Sequence, residues 1–206
     1  MTRSLLSLFA GLLLISSAAF ADAVPNRAED VSPLPVGAEA PAFEARTATG
    51  EPYRFDAAAN DAKTLVIFYR GGWCPYCNRH LQALQNVVPK LTEAGVDVLF
   101  LSADRPEKLA ESLSEGELDY TLLSDASMAA SRAFGVAFRV DDDTFEKYKG
   151  YGIDLEAASG YDHHQLPVPA VYLIGTDGKV EFMHSNADYK VRLSGADILS
   201  AAGVTG

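Results

Sequence analysis

The sequence holds two cysteines, and both lie in one short string, Trp73-Cys74-Pro75-Tyr76-Cys77. Thiols at this spacing suit chemistry better than fastening. A disulfide stabilises more as the loop it closes lengthens, and a two-residue spacer closes almost none. The string follows a buried strand and opens a helix, so the first sulfur meets the unpaired N–H groups and dipole of a helix N-terminus. That position lowers the Cys74 pKa and raises the fraction present as thiolate, the nucleophilic form. Pro75 fits the first helical turn, where its missing N–H would be unpaired anyway. Cys77, one turn on, is close enough to attack a mixed disulfide at Cys74 and release the product. Cys74 and Cys77 are therefore the candidate catalytic residues, cycling between a dithiol and a local redox disulfide. Trp73 is placed to shield them from water and to meet substrate. Zinc usually needs a second Cys/His pair at motif spacing, and the only histidines are His80, His163, His164 and His184. A copper or zinc carrier using both sulfurs and one histidine is the alternative of a different class. The redox reading needs no metal or cofactor.

The elements around the string must hold it in place. Residues 1–21 read as a secretory signal peptide, with Arg3 as the basic start, an apolar run over 5–15 and Ala19-Phe20-Ala21 as the cleavage site. The expectation is an exported, periplasmic product without a membrane span after cleavage. Residues 22–35 form an extended lead-in, and the domain occupies 36–206. The formal net charge is −11, which argues against nucleic acid and anionic membranes as partners. Thr64-Leu65-Val66-Ile67-Phe68-Tyr69 is a strand buried on both faces, and Arg70-Gly71-Gly72 breaks it before the cysteines. Leu81, Leu84, Val87 and Leu91 follow at helical spacing, with Pro89 kinking that helix. Further strands are expected over 96–101 and 120–124, and helices over 105–113 and 127–134. Asp104 or Ser102 would cap the helix at 105. Residues 139–166 lack a period and read as an insertion over one side of the sheet. A hairpin over 170–184 turns at Gly175-Thr176-Asp177-Gly178, and Ser194 with Asp197 opens a last helix.

Strands alternating with helices, closed by a hairpin and a helix, give an α/β protein with a central mixed sheet, in the order of a thioredoxin-like fold. In that fold a cis-proline faces the cysteines and offers backbone to an extended substrate. Val168 and Pro169, just before the hairpin, are placed for this role, and the cis isomer is expected at Pro169.

The string Phe68-Tyr69-Arg70-Gly71-Gly72-Trp73-Cys74-Pro75-Tyr76-Cys77-Asn78, with Val168-Pro169-Ala170 and the tail from Asn186 to Leu193, resembles the peroxiredoxin-like branch of the alkyl hydroperoxide reductase / thiol-specific antioxidant family. The resemblance implies thiol-dependent reduction of a hydroperoxide or disulfide substrate, reset by a thioredoxin-type electron donor. It places Cys77 at the peroxide-attacking position, Cys74 where the family has threonine and Arg70 where it has proline. The family's remote arginine is replaced by Pro169. Arg70 and Arg79 are candidates for electrostatic support of a thiolate or peroxide, with Arg132 as a more distant substitute. A disulfide reductase or oxidase without peroxidase activity is the runner-up. Which sulfur strikes first stays open at this level.

Overall fold

The computed structural model describes residues 24–205; the signal-peptide expectation lies outside the described residues. Among the described residues nine strands form in chain order: β1 (Phe43–Thr47), β2 (Pro52–Phe55), β3 (Lys63–Phe68), β4 (Val96–Ser102), β5 (Thr121–Ser124), β6 (Ala137–Arg139), β7 (Gln165–Pro167), β8 (Ala170–Ile174) and β9 (Val180–Ser185). Seven make one sheet in the order β2-β1-β5-β4-β3-β8-β9, and β6 pairs with β7 in a separate ribbon. β3 is parallel to β4 and antiparallel to β8, so the sheet is mixed, with β3 near its middle.

The alternation along β3 divides the core in two. Leu65, Ile67 and Tyr69 face the layer that contains both cysteines, whereas Val66 and Phe68 face Phe134 and Tyr172 on the other side. A strand buried on both faces carries no polar alternation, which is why residues 64–69 read as one apolar run.

The helices are α1 (Pro75–Ala83), α2 (Val88–Glu93), α3 (Pro106–Gly116), α4 (Ala129–Ala133), α5 (Asp142–Gly150), α6 (Leu155–Ser159) and α7 (Gly195–Ala201). The expected kinked helix after Cys77 is two helices. Pro89 lies in the first turn of α2, where its absent N–H costs no bond; deeper inside a continuous helix its ring would meet the carbonyl four residues back. α3 begins at Pro106 with no side-chain cap, so neither Ser102 nor Asp104 plays that part. Instead Asp104 accepts a hydrogen bond from the Gly72 N–H at 2.6 Å.

The stretch over 139–166 is well structured. Asp141 accepts from the Thr144 N–H at 2.9 Å to start α5, and Asp154 from the Ala157 N–H at 2.8 Å to start α6. Helices this short span too few turns for a hydrophobic period to show, and their caps carry the signal instead. The lead-in crosses this region: the Arg139 N–H donates to the Pro25 carbonyl and the Leu34 N–H to the Phe134 carbonyl.

Candidate active site

Cys74 is the N-cap of α1, and Cys77 lies inside its first turn. The Cys77 and Asn78 N–H groups donate to the Cys74 carbonyl, a helix start that brings the two sulfurs together. Both cysteines are free thiols and nearly covered, 2% and 1% exposed. The Cys77 thiol and N–H both donate to the Cys74 sulfur and, with Arg70 and Arg192 adding positive charge, lower the Cys74 pKa to about 6 against the cost of burial. Cys77 moves the opposite way, raised by burial and by its bond to the Cys74 sulfur. The two shifts favour the anion on Cys74 over an anion on Cys77.

Two arginines frame the pair. Arg70, at the end of β3, is 3% exposed and donates to the Tyr148 hydroxyl. Its guanidinium lies over Tyr189 at 4.3 Å, Trp73 at 5.1 Å and Tyr148 at 5.3 Å. Arg192, from the segment after β9, donates from Nη2 to the Cys77 sulfur at 3.3 Å. Its Nε and Nη1 are shielded from solvent and without partners. Arg192 was not among the candidate arginines. The tail string quoted for the resemblance contains it, but its sequence distance from the cysteines hid the contact.

The other candidates separate. Trp73 packs against the cluster holding both cysteines and against Tyr148. Arg79 is exposed and lies over the Tyr76 ring at 5.3 Å, and Arg132 donates to Gln165 instead. No peptide bond among the described residues is cis, so the expectation at Pro169 is corrected to trans. The reason lies in the ribbon. β7 leads directly into β8, and the Val168 N–H donates to the Val136 carbonyl at 2.8 Å. An extended trans path joins the two strands, and the backbone N–H expected to meet substrate is already paired within the chain.

Val168 and Pro169 do line a cleft of about 520 Å³, together with Arg70, Tyr148 and Tyr189. Its mouth carries lead-in residues 26–29. The histidines are dispersed: His80 bonds to the Leu193 carbonyl, His163 to the Ala126 carbonyl and His164 to Glu156. No cluster of three or more metal-ligating side chains occurs among the described residues, and no helix among them is long and apolar enough to cross a membrane.

A family model described as the AhpC/TSA family matches residues 36–183. Peroxiredoxin Bcp of Escherichia coli (strain K12) is 31% identical over 161 residues, covering 78% of this chain and 90% of that protein. A peroxiredoxin bcp of Haemophilus influenzae is 34% identical over 108 residues, 52% of this chain and 68% of that one. Among solved structures, peroxidoxin BcpB from Mycobacterium tuberculosis superposes with a TM-score of 0.61 at 22% identity, over 82% of this chain and 94% of its own. A peroxiredoxin-like protein from Aquifex aeolicus gives 0.64 at 17%, over 84% and 88%. The structural likenesses bear on the fold, which is the thioredoxin-like one. Taken with the sequence matches, they leave one assignment: the chain belongs to the AhpC/TSA family and is a thiol-dependent oxidoreductase of the peroxiredoxin-like kind.

Proposed function

We propose that the protein reduces hydroperoxides with Cys74 as the attacking thiolate and Cys77 as the resolving thiol, the reverse of the order that the family resemblance implies. The observation that carries this reading is the unequal pair: a stabilised anion on Cys74, a protonated Cys77, and Arg192 bonded to the second sulfur. The Cys74 thiolate attacks one oxygen of the hydroperoxide, the O–O bond breaks, and a sulfenic acid forms as the alcohol or water leaves. Cys77 then condenses with the sulfenic acid, giving the Cys74–Cys77 disulfide and water. The unpartnered Nε and Nη1 of Arg192 are suited to hold the departing oxygen while its charge grows. A thioredoxin-type dithiol resets the pair by thiol–disulfide exchange. The names of the curated relatives support a peroxide as substrate, and the apolar N-terminal run supports export to the periplasm.

Stopped-flow mixing of the reduced protein with hydrogen peroxide tests the reading, with Cys74→Ser and Cys77→Ser alongside. Loss of the fast phase is expected in Cys74→Ser, and a trappable sulfenic acid in Cys77→Ser. A wild-type rate no greater than that of an ordinary free thiol overturns it. Should insulin disulfides still be reduced in that case, the runner-up disulfide reductase stands. Cell fractionation checks the location.

A further inference from the structure

Asp104 is a buried acid that this mechanism leaves unused. It follows β4 and is 1% exposed. Oδ2 accepts from the Gly72 N–H at 2.6 Å, in the loop that leads to Cys74, while Oδ1 is buried without a partner. The chain is shaped to let this carboxylate approach. A Cβ on Gly71 would lie 2.6 Å from Oδ1 and collide with Trp73, and one on Gly72 would collide with Ser112. Clamping Gly72 requires only an acceptor, which an amide would provide without the desolvation cost of an acid. Two further hydroxyls stand nearby. Ser102 accepts from the Asp104 N–H at 3.2 Å, and the buried Tyr69 hydroxyl has no partner. Asp104 also lines a cleft of about 310 Å³ with Gly72, Lys108, Glu111, Ser112 and Asp154.

We infer that Asp104 stores the proton that the redox cycle consumes and later releases, exchanging it with solvent through the cleft that it lines. The balance requires such a group. One hydroperoxide, the Cys74 thiolate, the Cys77 thiol and one proton become the disulfide, one alcohol and one water. Attack leaves an alkoxide or hydroxide that must be protonated, whereas condensation of sulfenic acid with thiol needs no further proton. In the resetting half, a dithiol donor gives up two electrons and two protons. One proton returns to Cys77 and the other is set free. The Asp104 carboxyl supplies the proton in the first half and takes one back in the second. It does not touch the sulfurs and is a positioning residue for the proton.

The surroundings suit that task. Burial raises the pKa of Asp104 to about 7, against the Gly72 N–H, Ser102 and Lys108, which favour the anion. The charge on Cys74 raises it further. The groups that face it are Cys74 at the start of α1, Tyr69 after β3, Lys108 from α3 and Ser102 at the end of β4. Glu111, Glu115 and Asp154 line the same cleft. An acid poised near the working pH is the most effective proton donor and acceptor.

The direction of transfer rests on the peroxidase reading; the coupling between Asp104 and the pair does not. Two measurements separate them. The Asp104 carboxyl is titrated by carbon-13 NMR in the wild-type protein, reduced and then oxidised with diamide. Its midpoint is expected near 7 when reduced and lower in the disulfide form, where the Cys74 anion is gone. The same midpoint in both forms, or a carboxylate already ionised at about pH 5, overturns the inference. Stopped-flow oxidation by peroxide is then followed from about pH 5 to 9 in Asp104→Asn. The expected outcome is a loss of about tenfold or more at neutral pH, a pH profile that keeps only the Cys74 limb, and partial rescue by imidazolium buffer. A uniform loss at every pH without rescue marks a loop clamp and sinks the proposal. If the Asn variant fails to fold, the wild-type titration decides. If wild-type protein ignores peroxide, the peroxidase reading falls while the titration still judges Asp104.

Discussion

At the scale of single residues, a sulfur becomes reactive through its donors. Cys74 owes its low pKa first to Cys77 and next to the two arginines, and desolvation opposes them. Cys77→Ala removes the donor thiol and is expected to raise the Cys74 midpoint from about 6 toward the ordinary thiol range. Arg192→Met is expected to raise it less while slowing peroxide attack by about a hundredfold to a thousandfold, the cost of losing a donor to developing charge. Thiolate absorbance at 240 nm and stopped-flow rates check both variants. In the wild-type protein the rate should fall about tenfold per pH unit below the Cys74 midpoint, since only the anion attacks. Rates that stay flat down to about pH 4 would disprove the assignment of the thiolate.

Between elements, the decisive contacts occur where two of them nearly collide. The loop between β3 and α1 passes so close to Ser112 on α3 that Gly72 has no space for a side chain. Gly72→Ala should destabilise the fold by about 1–3 kcal/mol, read as a lower denaturation midpoint at unchanged slope. α5 carries Tyr148 to Arg70 and depends on its Asp141 cap. Asp141→Ala should cost about 1 kcal/mol, with a smaller loss of activity than Arg192→Met; thermal melts and steady-state rates check it. These elements also mark the limit of what could be read from the chain. β3, α1 and the final hairpin were legible, because a buried run, a cysteine at a helix start and a Gly-Thr-Asp-Gly turn each state their own structure. α5, α6 and the β6–β7 ribbon were not. Their formation depends on caps and on packing beneath the lead-in, both of which lie outside any periodic pattern. The cis-proline expectation failed for a related reason: the partner of the Val168 N–H is Val136, which no local string reveals.

For the molecule as a whole, the C-terminal segment is fastened across α1. The His80 ring bonds to the Leu193 carbonyl, one residue from Arg192, and burial lowers its pKa from 6.5 to about 4. With the folded value below the unfolded one, the unfolded chain binds the extra proton first. This contribution to stability is complete above about pH 6.5 and is lost as pH falls toward 4. His80→Gln keeps a donor for Leu193 but cannot take up that proton, so its stability relative to wild type should improve steadily across this window. Chemical denaturation at several pH values measures it; parallel curves would exclude His80 as the cause. The same view explains why the cysteine pair was legible and its arginine was not. Cys74 and Cys77 are neighbours in sequence, whereas Arg192 reaches them only once β8 and β9 have joined β3.

That late arrival has a consequence for a chain made from its N-terminus. Val66 finds its β8 partner, Tyr172, more than a hundred residues downstream, and Arg192 comes later still. Until then the nascent polypeptide carries two thiols without the guanidinium that bonds to the second of them. Full pairing of the two sulfurs with their cations therefore waits until the downstream strands have completed the sheet.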